Sequence, residues 1–400
     1  MNNNMASWPE YSAEEGDAVR GVLLSNKVNY WTGTECRSFE NEFAQWIGVK
    51  YAVAISNGSV ALEIALHALN IAPGDEVIVT SRTFIASAAC IVLAGAVPIF
   101  ADVDPDSQNI HANSIKKVIS ERTRAIICVH LAGWPCDMDP ILDLAAQHDL
   151  FVIEDCAQAH GAMYKGRAVG GIGHIAAWSF CQDKIISTGG EGGMITTNDQ
   201  ALIHRVWSRK DHGKSWSSSL NIRDMLDFNW LHESFGTNGR LTEIQAVIGR
   251  IQLKRMPEWH ALRLSNAQKI WDCAARLPGL RVPPVPDNIE HAGYKCYVFL
   301  RPEKLAKGWS RRKILKYINE KGVPCSVGSC SEIYLEAAFK QNNVSPQHHL
   351  PVARMLGETS LMFLIHPTLT EGNMIKICNV LTEVMILATY CELQITADQT

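Results

Sequence analysis

Between about residues 50 and 199, short runs of apolar and β-branched residues alternate with Ala- and Leu-rich stretches. That alternation predicts strands joined by crossover helices, the arrangement of a parallel sheet. The runs fall at 51–56, 76–80, 97–101, 124–129, 150–154, 175–180 and 193–197. None carries polar residues at every second position, so the sheet is predicted to be covered on both faces. Ligands of such sheets sit beyond the carboxyl ends of the strands, and that is where the unusual residues of this chain lie.

Further on, the stretch from Trp207 to His232 is polar and aromatic with little periodicity, and it reads as a long excursion from the core. A helix follows. Ile244, Val247, Ile248 and Ile251 recur at helical spacing, and a charged continuation runs to about Cys273. Beyond Pro278 the pattern predicts a strand at 294–300, a helix at 310–321, another strand, a loop and a terminal helix at 371–389. The whole reads as α/β, with a large domain over 1–255 built on a mostly parallel central sheet flanked by helices. A smaller C-terminal α/β domain is predicted over 256–400.

Residues 84–101 carry no charge over a length that would cross a bilayer. The stretch is Ala-rich and is broken by Gly95 and Pro98, which predicts a buried helix turning into a short strand. Charged residues make up 20% of the 400 and apolar ones 47%, an ordinary globular balance. The net charge of -4 offers no broad attraction to nucleic acid or to an anionic membrane. Twelve cysteines are scattered singly, and the polar start Met1-Asn2-Asn3-Asn4 does not resemble a signal peptide, so they read as free thiols in a reducing cytoplasm.

Three local constellations carry chemistry. At Asn57-Gly58-Ser59 a strand ends and a helix begins near Ser59, and exposed N–H groups at a helix start suit a phosphate; the alternative is a serine cap that only starts the helix. At Glu154-Asp155 an apolar strand delivers two acids to its carboxyl end, where a carboxylate can hold a protonated ring nitrogen or pair with surface bases. Lys184 leaves the apolar strand that ends in Ser179-Phe180 and precedes the glycine-dense 189–193. Partial desolvation there would lower its pKa and make it a usable amine for a Schiff base, although most lysines are surface charges. Together a phosphate turn, a strand-end acid and a later strand-end lysine are the three requirements of pyridoxal phosphate binding. No metal site is indicated.

With these motifs in this order, the sequence resembles the DegT-type sugar-nucleotide aminotransferases, pyridoxal-phosphate enzymes of the aspartate-aminotransferase fold (fold type I). The likeness runs through Gly74-Asp75-Glu76-Val77, the segment 154–161, Ser179 to Lys184, 189–193 and Gly236-Thr237-Asn238-Gly239-Arg240. The resemblance implies that Lys184 bears the cofactor and then moves the proton, and that Asp155 bonds the pyridinium nitrogen. It implies that Gln158 lies near the phenolic oxygen, that Asn57, Gly58, Ser59 and Ser179 cradle the phosphate, and that Phe84 stacks on the ring. Asn238 would reach the phosphate of a neighbouring subunit, which implies a homodimer with shared active sites. Phe84 could instead be core, and Gln158 and Asn238 could merely bond backbone. His160 and His212 read as structural or loop residues, since the lysine already supplies proton transfer.

Two departures from the family stand out. Ser59 replaces the usual Thr, keeping the hydroxyl, and the segment 324–334 replaces the usual tyrosine and histidine that face the sugar. The resemblance implies transfer of an amino group, with L-glutamate as the expected donor, to a nucleotide-linked keto-sugar, expected to be a 4-keto-6-deoxy hexose for surface polysaccharide or a glycosylated natural product. Pyridoxamine phosphate would be the form between the two half-reactions. The alternatives are a sugar dehydratase of the same fold, in which a histidine stands in place of the lysine, and a non-catalytic cofactor-binding regulator.

Overall fold

The computed structural model of the chain describes residues 5–216 and 232–389. A seven-stranded sheet has the order β1-β9-β8-β5-β4-β2-β3. Its strands are β1 (Tyr51–Ile55), β2 (Glu76–Thr80), β3 (Val97–Ala101), β4 (Thr123–Val129), β5 (Phe151–Asp155), β8 (Ile175–Ser179) and β9 (Gly193–Thr197). The pairs from β3 to β8 are parallel, whereas β9 runs antiparallel to both β8 and β1. The sheet is therefore mostly parallel, as the alternation predicts.

Both faces are buried, and the two-residue period assigns each side chain to one of them. Val77, Val79, Ile127 and Ile153 point toward α3 (Gly58–Ala68) and α4 (Ala86–Leu93). Ile78, Ile126, Cys128 and Val152 point to the other side, toward α6 (Met138–Gln147), which follows the short α5 (Ala112–Lys116). Near β1, β8 and β9 that second face is covered by α2 (Glu35–Ile47), whose Phe39 and Phe43 pack on Trp178 and Phe180. The amino-terminal α1 (Ala13–Leu24) lies outside this layer. Residues 84–101 resolve into α4 and β3, and among the described residues no helix is long and apolar enough to cross a membrane.

The expected excursion begins later than its polarity suggests, because residues 207–210 complete α7 (Gln200–Lys210). Residues 217–231 lie outside the described residues. The long α8 (Glu243–Ala275) opens on a reciprocal cap, with Thr242 N–H donating to Gln245 Oε1 at 3.1 Å. It passes residues 255 and 256 without a break. Ala246, Leu253 and Met256 join the core of the large sheet, and Ala267, Ile270 and Ala274 join that of a second, four-stranded sheet.

That second sheet has the order β10-β12-β14-β13, formed by Leu280–Arg281, Lys295–Leu300, Ser360–Leu364 and Cys325–Ser326. Its helices are α9 (Arg311–Glu320), α10 (Ala337–Gln341), α11 (Pro351–Thr359) and α12 (Glu371–Thr389). A small sheet of β6 (Met163–Tyr164), β7 (Arg167–Ala168) and β11 (Ile289–Glu290) bridges the sequence halves. Buried Arg82 fastens the two larger sheets: its guanidinium donates to Gln108 at 3.0 Å, to Ser331 at 2.7 Å and to Ser360 at 2.9 Å. This clamp stands two residues before Phe84.

Glu154 is a structural brace. Alternation turns it to the face opposite Asp155, where it is wholly buried. Its carboxylate accepts from Gly170, Ile172 and Gly173 N–H at 2.8, 2.9 and 2.6 Å, and from His130 Nε2 at 3.0 Å. His130 Nδ1 accepts from Cys136 N–H, which assigns the ring proton to Nε2. Burial alone would push the Glu154 carboxyl up, but His130 and the backbone donors hold it below its ordinary value. His130, Glu154 and Cys156 come within 4.8 Å of one another, a spacing that would suit a metal. Both the carboxylate and the ring are already committed to the brace. Glu154→Gln, which puts an NH2 against N–H donors, is expected to cost about 3 kcal/mol in urea unfolding while leaving any bound cofactor's absorption in place.

Candidate active site

The turn from β1 into α3 is built for close approach. Asn57, not Ser59, caps α3, its Oδ1 accepting from Val60 N–H at 2.9 Å, so the helix starts one residue earlier than expected. Ser59 is exposed in the first turn, with the free N–H groups of a helix start around it. A Cβ on Gly58 would lie 2.7 Å from the Cβ of Ser179, and one on Gly193 would lie 2.7 Å from the Asn57 carbonyl carbon. Asn57, Gly58, Ser59 and Ser179, dispersed over more than a hundred residues, thus form one cradle where β1, β8 and β9 meet.

Beside it, Asp155 closes β5, whose span lies one residue later than the pattern predicts, and pairs across the ladder with Ala177 of β8. Its Oδ2 accepts from Ser87 Oγ at 2.7 Å and its Oδ1 from Ala157 N–H at 3.1 Å. Ser87 in turn shares a 2.8 Å hydrogen bond with Thr83 Oγ1. Burial pushes the Asp155 carboxyl up, and the bonds from Ser87 and Ala157 and the Lys184 charge act against it. A cationic N–H laid against this carboxylate would restore the ionised form that burial disfavours.

Phe84 heads α4, one turn before Ser87, and is 66% exposed, an unusual position for so large a ring. It is therefore not core. The Thr83 N–H donates to the carbonyl of Cys330 at 3.2 Å, which brings the segment after β13 to the rim beside Phe84.

Lys184 stands five residues beyond the end of β8, and its side chain is 17% exposed. Its Nζ donates to Tyr294 Oη at 3.4 Å and lies 3.5 Å from Asp183 Oδ1. The Tyr294 hydroxyl also donates to Asp183 Oδ2. Burial would raise the Asp183 carboxyl, but Lys184 and the Tyr294 hydroxyl hold it below its ordinary value. The Lys184 backbone is held as well, its carbonyl accepting from the Trp8 indole N–H at 2.8 Å.

The remaining expected residues are placed less centrally. Gln158 is buried and its Oε1 accepts from Ala132 N–H at 2.7 Å, the backbone role left open above. Ala132 has a positive φ of 59°, and this bond holds that turn. Asn238 is exposed and bridges to Asp211, while neighbouring Gly239 accepts from Ser56 N–H at 2.8 Å. His160 is fully buried against Trp178 and Phe180, and burial with the Lys184 and Arg263 charges drives it down to about 3. Burial thus favours the neutral ring. Reading the sequence misses Ser87, Thr83, Tyr294 and Trp8. Asp183 adjoins Lys184 and could have been suspected, whereas Tyr294 lies 110 residues away and has no local signature.

The residues fit pyridoxal phosphate, since the cradle leaves backbone donors exposed, Asp155 has no ion pair among the described residues, and a lysine amine lies beyond the next strand's end. Comparisons agree. The sequence model of the DegT/DnrJ/EryC1/StrS aminotransferase family matches residues 9–382. The crystal structure of an aminotransferase from Psychrobacter cryohalolentis is 55% identical, with a TM-score of 0.94, covering 96% of this chain and 99% of that one. GDP-perosamine synthase from Caulobacter vibrioides is 37% identical over 390 residues, 94% of this chain and 97% of its own. The dTDP-3-amino-3,4,6-trideoxy-alpha-D-glucose transaminase of Streptomyces venezuelae is 32% identical over 378 residues, 94% of each chain.

Proposed function

The chain belongs to the DegT/DnrJ/EryC1/StrS aminotransferase family, and from that premise we propose that it moves an amino group from L-glutamate to a nucleotide-linked keto-sugar with pyridoxal phosphate as cofactor. The observation that carries this reading is the convergence of Asp155 and Lys184 beyond the carboxyl ends of the adjacent parallel strands β5 and β8. The dTDP- and GDP-linked compounds in the relatives' names support a nucleotide sugar. A 4-keto-6-deoxy hexose destined for surface polysaccharide or a glycosylated natural product is the acceptor we favour.

When bound, the cofactor supplies an aldehyde for amine exchange and a ring that accepts the electron pair of the broken C–H bond. The protein does the rest. The N–H groups at the start of α3, with the Ser59 and Ser179 hydroxyls, would hold the phosphate, and Phe84 would cover the ring. Asp155, oriented by Ser87, would keep the ring nitrogen protonated. Lys184 Nζ takes the proton from the donor's α-carbon, and in the second half-reaction delivers one to the former carbonyl carbon of the sugar. Asn238, exposed beside Gly239, would serve the neighbouring subunit of a homodimer. The eleven described cysteines are all free, which supports a cytoplasmic enzyme.

The test is the visible spectrum of the cofactor-loaded protein before and after L-glutamate, with no sugar present. Loss of the yellow band is expected. A band that no amino acid discharges would overturn the aminotransferase reading and favour the regulator.

A further inference from the structure

Around Lys184 the charges of the described residues do not balance. Lys295 opens β12, whose Tyr297 and Phe299 pack on Val103 and Ala132 from the large-sheet side, while Cys296, Val298 and Leu300 face the small sheet's own helices. By the two-residue alternation Lys295 belongs with Tyr297, on the face that looks across to the large sheet. Its Nζ lies 4.6 Å from the centre of the Tyr294 ring, and Lys184 Nζ lies 5.1 Å from the centre of the same ring. Among the described residues Lys295 has no ion pair and no side-chain hydrogen bond.

Behind them stands Arg263, fully buried; among the described residues its Nε and Nη2 have no hydrogen-bond partner, and its Nη1 reaches only the Gly293 carbonyl at 3.4 Å. Its guanidinium lies 4.7 Å from the Trp8 ring that holds the Lys184 carbonyl. Among the described residues one carboxylate, Asp183, acts on Lys184 and Lys295, and it is already shared by Lys184 and Tyr294. Burial pushes the Lys295 amine down to about 8; Asp183 opposes the shift, and Arg263 and Lys184 add to it. Nearby His366 is held down at about 4 by burial and by Arg263 and Lys295, so it adds no charge. Among the described residues the cluster holds more positive than negative charge.

We propose that Lys295 is the anchor for the α-carboxylate of the amino-acid donor, with Arg263 as a positioning residue that acts through Trp8. This rests on the aminotransferase reading. The donor's amino nitrogen has to arrive at Lys184, and its α-carboxylate hangs from the same carbon, so the cation that holds it belongs within a side chain's reach of Lys184. The cradle at α3 and Asp155 answer other groups, the phosphate and the ring nitrogen. A keto-sugar has no carboxylate at its reacting carbon, so Lys295 serves the donor half-reaction alone.

The test uses the cofactor-loaded enzyme with two probes: succinate, an inert dicarboxylate, by calorimetry, and L-glutamate, by discharge of the yellow band. Lys295→Gln is expected to weaken both by at least about tenfold, with the cofactor band unchanged, and Lys295→Arg to restore most of the loss. Equal succinate binding by the parent and Lys295→Gln overturns the proposal, as does a parent that binds no succinate competitively with glutamate. Should Lys295→Gln fail to fold, Lys295→Arg and Lys295→Met decide: loss in Met with retention in Arg supports it, and equal binding in both overturns it. If instead succinate binds through Lys295 but no amino acid discharges the band, the aminotransferase reading fails and the carboxylate site stands.

Discussion

Replacing Lys184 with alanine is expected to abolish the glutamate half-reaction, lowering its single-turnover rate by at least about four orders of magnitude. The argument is one of placement. Lys184 Nζ is the one amine that leaves the loop beyond β8, next to the strand that carries Asp155, and Tyr294 and Asp183 hold it there from the other side. Lys295 shares the Tyr294 ring but starts from the small sheet and cannot occupy the same position. The fold should survive, because Tyr294 and Asp183 keep their own hydrogen bond. Stopped-flow absorbance with glutamate and a thermal melt of the same protein check both halves; residual turnover above about one hundredth of the parent rate would assign the proton transfer elsewhere.

How much of this was legible in the sequence depends on the range of the interactions. The seven strands of the large sheet were visible because each is a run of apolar residues, and burial of both faces removes the polar alternation that would have blurred them. Their ends were not. Whether β5 stops at Glu154 or Asp155 makes no difference to local propensity, and the pattern alone does not say which acid faces α4 and which disappears beneath the opposite face. Glu154 and Asp155 look alike as a pair, and only the pleat separates a brace from a reactive carboxylate. Asn57 and Ser59 are both good helix caps, so the local pattern could not choose between them. Tyr294, Lys295 and Arg263 were illegible for another reason. Their neighbours come from distant segments, Lys184 lying 110 residues before Tyr294 and Trp8 at the start of the chain beside Arg263, and a lysine opening a strand looks like any edge charge until the strand is seen facing another sheet. The segment at 324–334, recognised as a departure, is in place at the rim through the Cys330 contact with Thr83.

Asp155→Asn is expected to slow both half-reactions about a thousandfold while leaving the cofactor-free protein at least as stable as before. Asparagine keeps the shape and can still accept from Ser87, but it cannot hold a proton on the ring nitrogen, so the ring loses its pull on the electron pair. The stability half follows from linkage. Burial raises the Asp155 carboxyl in the folded state relative to the unfolded chain, so the folded protein binds more protons across the window between the two values, and stability falls as pH rises through it. Above that window the parent carries a buried charge that the variant lacks. The cofactor's cationic ring relieves that burden in the parent and has nothing to relieve in Asp155→Asn. Adding pyridoxal phosphate should therefore raise the melting temperature less in the variant than in the parent, while the cofactor-free melts are equal or favour the variant. A cofactor-free variant that melts well below the parent at neutral pH would mean that Ser87 and Ala157 already satisfy the charge, and that Asp155 holds the fold together rather than waiting for a cation.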